Sequence, residues 1–382
     1  MEFTFSEEHE MIRELARKFT DKEVRHLAEE IDKNGEVPLE LINKAAELGF
    51  LGVPFPEEYG GGEMGEIGYC IVLEEIARAC LSTAVVIGGH VSIGTMAIYI
   101  SGSEEQKQKF LPILCAGEKL AAFALTEPQA GSDAGAIASF AERKGDKYIL
   151  NGQKTFITNG GVADVYSVFA STDRSAGVRG ITAFIVEKDM PGFRAGLPED
   201  KMGIRGSHTT DLFFEDVDIP LENRIGSEGE GFSIAMKTLD AGRLSLGAQC
   251  LGVAKEALAL SVKHANSREQ FGRPIAKLQA IQWMLAEMST DILAMESMVY
   301  RGAWMCDEGI PFSRQSAQIK LFCSEALDRI VDKAVQIHGG MGYMREYPIE
   351  RFYRDARITR IFEGTNEIQK LVIAKDVLRN PE

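Results

Sequence analysis

YILNGQKTFITNG, Tyr148 to Gly160, alternates aromatic and β-branched residues with polar ones, and it lies between two stretches whose apolar residues recur at helical spacing. That change of period, from about 3.6 residues to about 2, decides the fold class. Nearby, VYSVFAS, GITAFIVEK and TDLFFEDVDIP are further short β-branched or aromatic runs, separated by Gly, Asn, Asp and Pro in the manner of strands and turns. Asn151-Gly152 fits a tight hairpin between YIL and KTFIT. The expected fold is α+β. An N-terminal helical domain spans residues 1–120, a middle β-barrel-like domain of about seven strands spans 121–232, and a C-terminal four-helix bundle spans 233–382.

Upstream of the strands, Thr4 followed by Glu7 offers a capping box, and Ile12, Leu15 and Phe19 line one face of the helix beyond it. Ser103 with Gln106 offers a second box ahead of Phe110, Leu111 and Leu114. Downstream, Phe232 to Ala265, Ile275 to Asp307 and Arg314 to Ile337 read as long helices. The stripe of Trp283, Met284, Met288 and Met295 reads as core or subunit interface. No linker looks long enough for independently moving parts, so a cleft where the β-domain meets the helical regions is the natural ligand site.

A chain of 382 residues exceeds what one core usually supports. Its 57 acidic against 42 basic residues give a formal charge of -15, which opposes general attraction to a nucleic acid or an anionic membrane. Any anionic ligand must therefore meet a local basic site. The six cysteines are scattered without a CxxC, as expected of reduced thiols in a cytosol-like compartment. MEFTFSEEHE is acidic and carries no targeting pattern, so the expected location is cytoplasmic in a prokaryote, or the mitochondrial matrix only if a transit peptide has been removed. The longest apolar region, Ala84 to Ile100, is interrupted by Gly88, Gly89, His90 and Ser92 and reads as a buried, broken helix rather than a membrane span.

There is no GxGxxG after a strand, no GxxxxGK[ST], no GxSxG and no HExxH, and the six histidines are too dispersed to suggest a metal centre. ALTEPQAGSDAG, Ala124 to Gly135, is a glycine-bearing turn rich in hydroxyls and amides, suited either to cradle a flavin edge or phosphate or simply to cap a surface loop. KTFITNG adds Phe156 and Thr158, an aromatic that can cover a ring face and a hydroxyl that can meet its polar edge. QIHGGMGY, Gln336 to Tyr343, is either a glycine stop after a helix or a bare backbone approached by a cofactor. In IFEGTNEIQ, Thr365 caps the helix beginning near Asn366, but a cap does not require Glu363.

Taken together, ALTEPQAGSD, FITNG, KMGIRGSHTTDLFFEDVDIP, SREQFG, QIHGGMGY and YRDARITRIFEGTNEIQ resemble the acyl-CoA dehydrogenase family, with a motif pattern like that of its short-chain and short/branched-chain members. The likeness runs through essentially the whole chain. It implies an FAD whose ring lies beside the acyl chain, and a glutamate that removes the proton alpha to the thioester carbonyl; the matching position is Glu363. Another branch of the family supplies its base from the helix bearing LDAGR, where this sequence has Gly242, so Glu363 is the only base the resemblance supports. The implied reaction is α,β-dehydrogenation to the trans-2-enoyl-CoA, with beta hydride transfer to flavin N5 and electrons passed to electron-transferring flavoprotein. A desolvated carboxylate is the stronger base such a step needs.

By the same resemblance, Phe123, Leu125, Thr126, Ser132, Phe156 and Thr158 line the flavin in one subunit, Phe156 replacing the tryptophan common there. Arg268 and Phe271 of SREQFG, Gln336 and Gly340 of QIHGG, and Thr365 and Glu367 match positions around FAD, several reaching from a neighbouring subunit of a homotetramer built as a dimer of dimers. Asp240 and Arg243 match residues near the CoA moiety, although an intrachain pair between them competes with that role. Ser132 begins the substrate-contacting loop, and Phe362 and Gly364 flank the base.

Gly88 to Gly94 matches the turn at the tail end of the acyl cavity, with His90 its unusual polar side chain. Without an arginine in that turn, an apolar short, branched or cyclic acyl group fits better than a dicarboxylic one. The alternative is a glutaryl-CoA-type or other polar acyl-CoA dehydrogenase, for which Arg78 would have to reach inward. An alternative of another class is a catalytically silent flavin-binding scaffold.

Overall fold

The computed structural model describes residues 4–380. Helix α1 (Glu7–Phe19) starts at Ser6, whose hydroxyl accepts the His9 N–H at 3.2 Å, so the cap lies two residues beyond the expected Thr4. Glu7, Glu8 and Glu10 then fill the first turn, where the helix dipole favours acidic groups. After α2 (Ala28–Asn34) and α3 (Leu39–Glu47), α4 (Gly65–Ala77) is buried on nearly every face, as its GYCIVL run demands. Helix α5 (Leu81–Gly88), a π-helical segment over Gly89–Thr95 and α6 (Met96–Ser101) then form one continuous run. The glycines widen this helix instead of breaking it. By length and composition Leu81–Ser101 could cross a membrane, at a mean hydropathy of 1.6, but 83% of its most apolar window is buried inside the fold. Helix α7 (Glu104–Cys115) carries the expected Ser103–Gln106 capping box.

The middle region has eight strands: β1 (Ala121–Ala124), β2 (Phe140–Lys144), β3 (Lys147–Thr158), β4 (Val165–Ser171), β5 (Ile181–Glu187), β6 (Phe193–Ala195), β7 (Thr209–Pro220) and β8 (Arg224–Ile225). They form a mixed open sheet in the order β6-β7-β3-β2-β4-β5-β8, with β1 parallel to β4. The expected barrel is therefore wrong, because the end strands β6 and β8 do not pair with each other. These edges are only three and two residues long, short enough to leave little backbone open to pairing. The hairpin expected at Asn151-Gly152 is a second departure. Residues Lys147–Thr158 form one strand with a register shift at that point, and Asn151 and Asp216 exchange two bonds of 2.9 Å across it. The turn between β2 and β3 is instead Gly145-Asp146, where Gly145 takes φ +65°.

The C-terminal region consists of α8 (Gly231–Ser267), a small hairpin of β9 (Glu269–Gln270) and β10 (Arg273–Pro274), α9 (Gln279–Asp307), α10 (Ser313–His338), α11 (Pro348–Ala356) and α12 (Asn366–Arg379). Helix α10 packs on α8, α9, α11 and α12, while α4 packs across α8 and α9. Phe50, Leu150 and Leu251, one from each region, belong to a single apolar core. The three regions are thus welded together around α8 and the π-helical segment. All six cysteines are free thiols.

Candidate active site

The turn between α11 and α12 places two consecutive residues in the left-handed region, Glu363 at φ +54° and Gly364 at φ +88°. For a glutamate this costs on the order of 1 kcal/mol, and such strain persists only where the surroundings fix the chain. Here Gln369, fully buried on α12, donates to the carbonyls of Glu363 at 3.3 Å and Gly364 at 2.9 Å. Arg243 of α8 donates to the Glu363 carbonyl at 3.4 Å, and Thr365 caps α12 through the Ile368 N–H at 3.4 Å. The backbone is tied down from two helices.

The Glu363 side chain runs toward α8. A Cβ added at Gly242 would lie 2.8 Å from its Oε2 and 2.8 Å from Cγ2 of Ile93, so the glycine makes the space the carboxylate occupies. That oxygen is enclosed and has no hydrogen-bond partner among the described residues, although the residue as a whole is partly exposed. Burial pushes the carboxyl up to about 7, opposed by the positive charges of Arg243 and Lys320. Neither cation bonds the carboxylate. Arg243 donates to Asp240 at 2.7 Å, where the Ser316 hydroxyl also donates at 3.2 Å, while Lys320 donates to Asn366 at 2.8 Å. Arg243 and Asp240 thus form the intrachain pair that competed with a CoA role, and it lies under the turn that carries Glu363.

Phe123 and Leu125 are buried on and just beyond β1, with the Phe123 ring 4.8 Å from that of Phe169. Thr126 and Thr158 are partly buried and Ser132 is exposed on the following loop. Phe156 sits in a second register shift of β3 at φ +57°, with 66% of its surface exposed. The Thr155 N–H donates to the Thr126 carbonyl at 2.9 Å, bringing the two motifs side by side. An exposed aromatic face beside hydroxyls and a glycine-bearing loop suits a flat ring with polar edges, and the residues present therefore fit FAD. Elsewhere, the His264 and His338 rings stack at 4.4 Å, joining the end of α8, whose C-cap is Arg268, to the end of α10, with Gln336 in its last turn and Gly340 just beyond. Phe271 is 90% exposed, and Arg268, Gln336, Gly340 and Glu367 are likewise on the surface. Phe362 and Thr365 are partly buried beside Glu363.

His90 is committed elsewhere. Its Nε2 meets the Leu114 carbonyl at 3.0 Å and its Nδ1 accepts the Ala121 N–H at 2.9 Å, fixing a neutral ring that burial pushes down to about 4. No polar atom of this fully buried side chain is left for a ligand. Arg78 is also occupied, donating to Glu75 at 2.9 Å and Glu256 at 3.2 Å.

Several groups escaped sequence reasoning. Lys154 and Glu127 form a buried ion pair at 2.7 Å between β3 and the loop that carries Thr126 and Ser132. Strand alternation places Lys154 inward with Tyr148 and Leu150, and a buried lysine requires a partner; that signal was available in QKTFIT. Asn159 donates to Val86 of α5 at 2.9 Å, joining the sheet to the first domain. Lys320, Asn366 and Gln369 support the Glu363 turn from α10 and α12, but nothing local in their sequence distinguishes them from ordinary helical polar residues.

Nearly the whole chain is covered by models of three acyl-CoA dehydrogenase domains: the N-terminal domain over residues 6–118, the middle domain over 122–217 and the C-terminal domain over 229–378. It is 45% identical over 379 residues to the short-chain specific acyl-CoA dehydrogenase of Clostridium acetobutylicum, covering 99% of this chain and 100% of that one. Among solved structures, butyryl-CoA dehydrogenase from Megasphaera elsdenii superposes with a TM-score of 0.98 at 45% identity, covering 99% of this chain and 100% of that one. A chain from work on the electron transferring flavoprotein of Acidaminococcus fermentans and flavin-based electron bifurcation matches with a TM-score of 0.98 at 48% identity over 100% of both. The chain belongs to the acyl-CoA dehydrogenase family and is an FAD-dependent enzyme of α,β-dehydrogenation.

Proposed function

We propose that this enzyme dehydrogenates a short, branched or cyclic acyl-CoA to the trans-2-enoyl-CoA, with Glu363 as the base that removes the alpha proton. The observation that carries the assignment is the enclosed, unpaired Glu363 Oε2 beside Gly242, in a carboxyl poised at about 7. A base with no hydrogen bond to break and a proton affinity near neutrality can take and hold a proton from a weak carbon acid. Bound FAD supplies the acceptor for the beta hydride. Phe123, Leu125, Thr126, Ser132, Phe156 and Thr158 would hold its ring from one subunit, and Arg243, Asp240 and Gly364 would set the turn on which substrate and base meet.

The apolar preference is supported by Ile93 at the base and by the engagement of both polar candidates for a distal carboxylate, His90 and Arg78. Electron-transferring flavoprotein is the proposed acceptor, in line with the work from which the Acidaminococcus chain comes. A homotetramer arranged as a dimer of dimers would cover Phe271, Tyr343, Trp283 and Leu378, which are exposed on the C-terminal region. Six free thiols fit a reducing compartment, the prokaryotic cytoplasm or a mitochondrial matrix.

The test is an anaerobic titration of the FAD-loaded enzyme with butyryl, isobutyryl, 2-methylbutyryl, hexanoyl, octanoyl, cyclohexanecarboxyl and glutaryl thioesters, following flavin bleaching. The fastest reduction is expected from the short, branched or cyclic substrates. Faster reduction by glutaryl-CoA or octanoyl-CoA would refute the proposed substrate class. A parallel assay with electron-transferring flavoprotein or oxygen identifies the acceptor.

A further inference from the structure

We propose that the buried Lys154–Glu127 ion pair is a positioning device for the flavin, fixing the turn that follows β1 against β3 so that the lining residues stand ready for the ring. The inference rests on the reading that Thr126, Phe156 and Thr158 line FAD. It adds a pair of buried residues, bonded to the backbone behind the lining, as the reason the lining holds its shape.

Lys154 is 0% exposed and Glu127 is 3% exposed, so neither charge is solvated by water. The Lys154 ammonium donates to Glu127 Oε1 at 2.7 Å and to the Leu125 carbonyl at 3.0 Å. The same carboxylate accepts the Ser139 N–H at 3.0 Å, the Ala138 N–H at 2.6 Å and the Gln129 side chain at 2.6 Å. These donors come from both ends of the loop that carries Ser132, so one carboxylate closes that loop and the lysine fastens it to β3. The next residue of the strand adds a backbone link, from the Thr155 N–H to the Thr126 carbonyl at 2.9 Å. Two successive carbonyls, those of Leu125 and Thr126, are therefore oriented by two successive residues of β3. One residue further along, Phe156 leaves the regular register with its ring exposed.

A buried ion pair is a poor source of net stability, because desolvation cancels most of the attraction and apolar residues of similar volume often do as well. What such a pair gives is direction. Burial lowers the Lys154 pKa to about 8, and Lys154 with the surrounding donors holds Glu127 below the usual carboxylate range, so both groups are charged at neutral pH. An apolar replacement would fill the same space without orienting the Leu125 carbonyl or closing the loop.

The test uses the FAD-loaded enzyme and does not depend on turnover. FAD release after dilution is followed by flavin fluorescence, and the flavin absorption bands are recorded, for wild type, Lys154→Met, Glu127→Gln, the double variant and Phe156→Ala. Lys154→Met and Glu127→Gln should each release FAD about tenfold faster or more and shift the flavin bands. The double variant should be no worse than Lys154→Met, because the unpaired buried carboxylate is then gone. Should Lys154→Met fail to fold, the near-isosteric Glu127→Gln decides alone. Wild-type release and spectra in the single variants, even with a lower thermal midpoint, would make the pair purely structural and overturn the proposal. If Phe156→Ala speeds release and the pair variants do not, only the positioning role fails. If Phe156→Ala also leaves release unchanged, the lining itself is misassigned.

Discussion

Replacing Gly242 by alanine tests whether the space beside helix α8 belongs to the base. The added Cβ would lie 2.8 Å from both Glu363 Oε2 and Ile93 Cγ2, about 0.6 Å inside the 3.4 Å at which ordinary contact begins. The α8 backbone is buried against α4, α9 and α10, so the side chains must move first. Overpacking of this kind costs about 1–3 kcal/mol. The carboxylate also has little room for retreat, because its backbone is held by Gln369 and Arg243. A displacement approaching 1 Å at a reacting group can slow chemistry by about 100-fold. Gly242→Ala should therefore reduce its flavin about 10- to 100-fold more slowly in anaerobic stopped-flow with saturating butyryl-CoA, while retaining full FAD content. Its thermal midpoint should fall by a few degrees. A variant with wild-type reduction rate and midpoint would refute the reasoning, since the carboxylate could not then occupy the space beside residue 242.

Other outcomes follow from the same geometry. The Glu363 carboxyl, raised to about 7, must be ionised to act, so flavin reduction should fall about tenfold per pH unit below that value. A pH-independent rate between 5 and 8 would contradict this. Because the folded value exceeds the ordinary 4.5, this group favours folding fully below that pH and loses the contribution as pH rises through about 7, so Glu363→Gln should gain thermal stability over wild type at pH 8 but not at pH 4. His90→Ala should lose about 2–4 kcal/mol in denaturant unfolding, because the Leu114 carbonyl and Ala121 N–H lose their partner, while acyl-chain preference stays as in wild type. The neutral His90 ring, lowered to about 4, contributes fully above pH 6.5 and loses that contribution as pH falls toward 4; a variant as stable as wild type at pH 7 would refute its structural role. Arg78→Gln should lose some stability, because the buried carboxylates Glu75 and Glu256 each give up one of two arginine partners and keep only Arg17 and Arg25, without altering the rate ratio between butyryl-CoA and glutaryl-CoA, and a change in that ratio would return Arg78 to the acyl pocket.

Much of the fold was legible because long helices repeat their pattern many times. The Phe232–Ala265 pattern became Gly231–Ser267, and Arg314–Ile337 became Ser313–His338, each within two residues at either end. Of the strands, β3, β4, β5 and β7 were visible as apolar runs, whereas the shorter β1, β2, β6 and β8 were not, and neither was closure. Alternation shows which residues pair with some strand, not whether β6 and β8 find each other, and that difference separates a barrel from an open sheet. Asn151-Gly152 misled for a related reason, since a dipeptide that accepts unusual backbone angles serves a register shift as well as a turn. At the site, Glu363 was reached through resemblance, while local reasoning explained only the Thr365 cap. The supports of that turn, Gln369, Arg243 and Lys320, come from three helices far apart in sequence. Only folding reveals that they converge. Lys154 differs, because the alternation of its own strand is enough to turn a lysine inward on an otherwise apolar face.

The most direct measurement is substrate-dependent flavin bleaching by Glu363→Gln under anaerobic conditions. The amide keeps the size of the side chain but cannot take a proton from carbon, so the variant should retain FAD and bind acyl-CoA while losing most of the bleaching seen in wild type. Wild-type-like anaerobic reduction would contradict the assignment of Glu363 as the base.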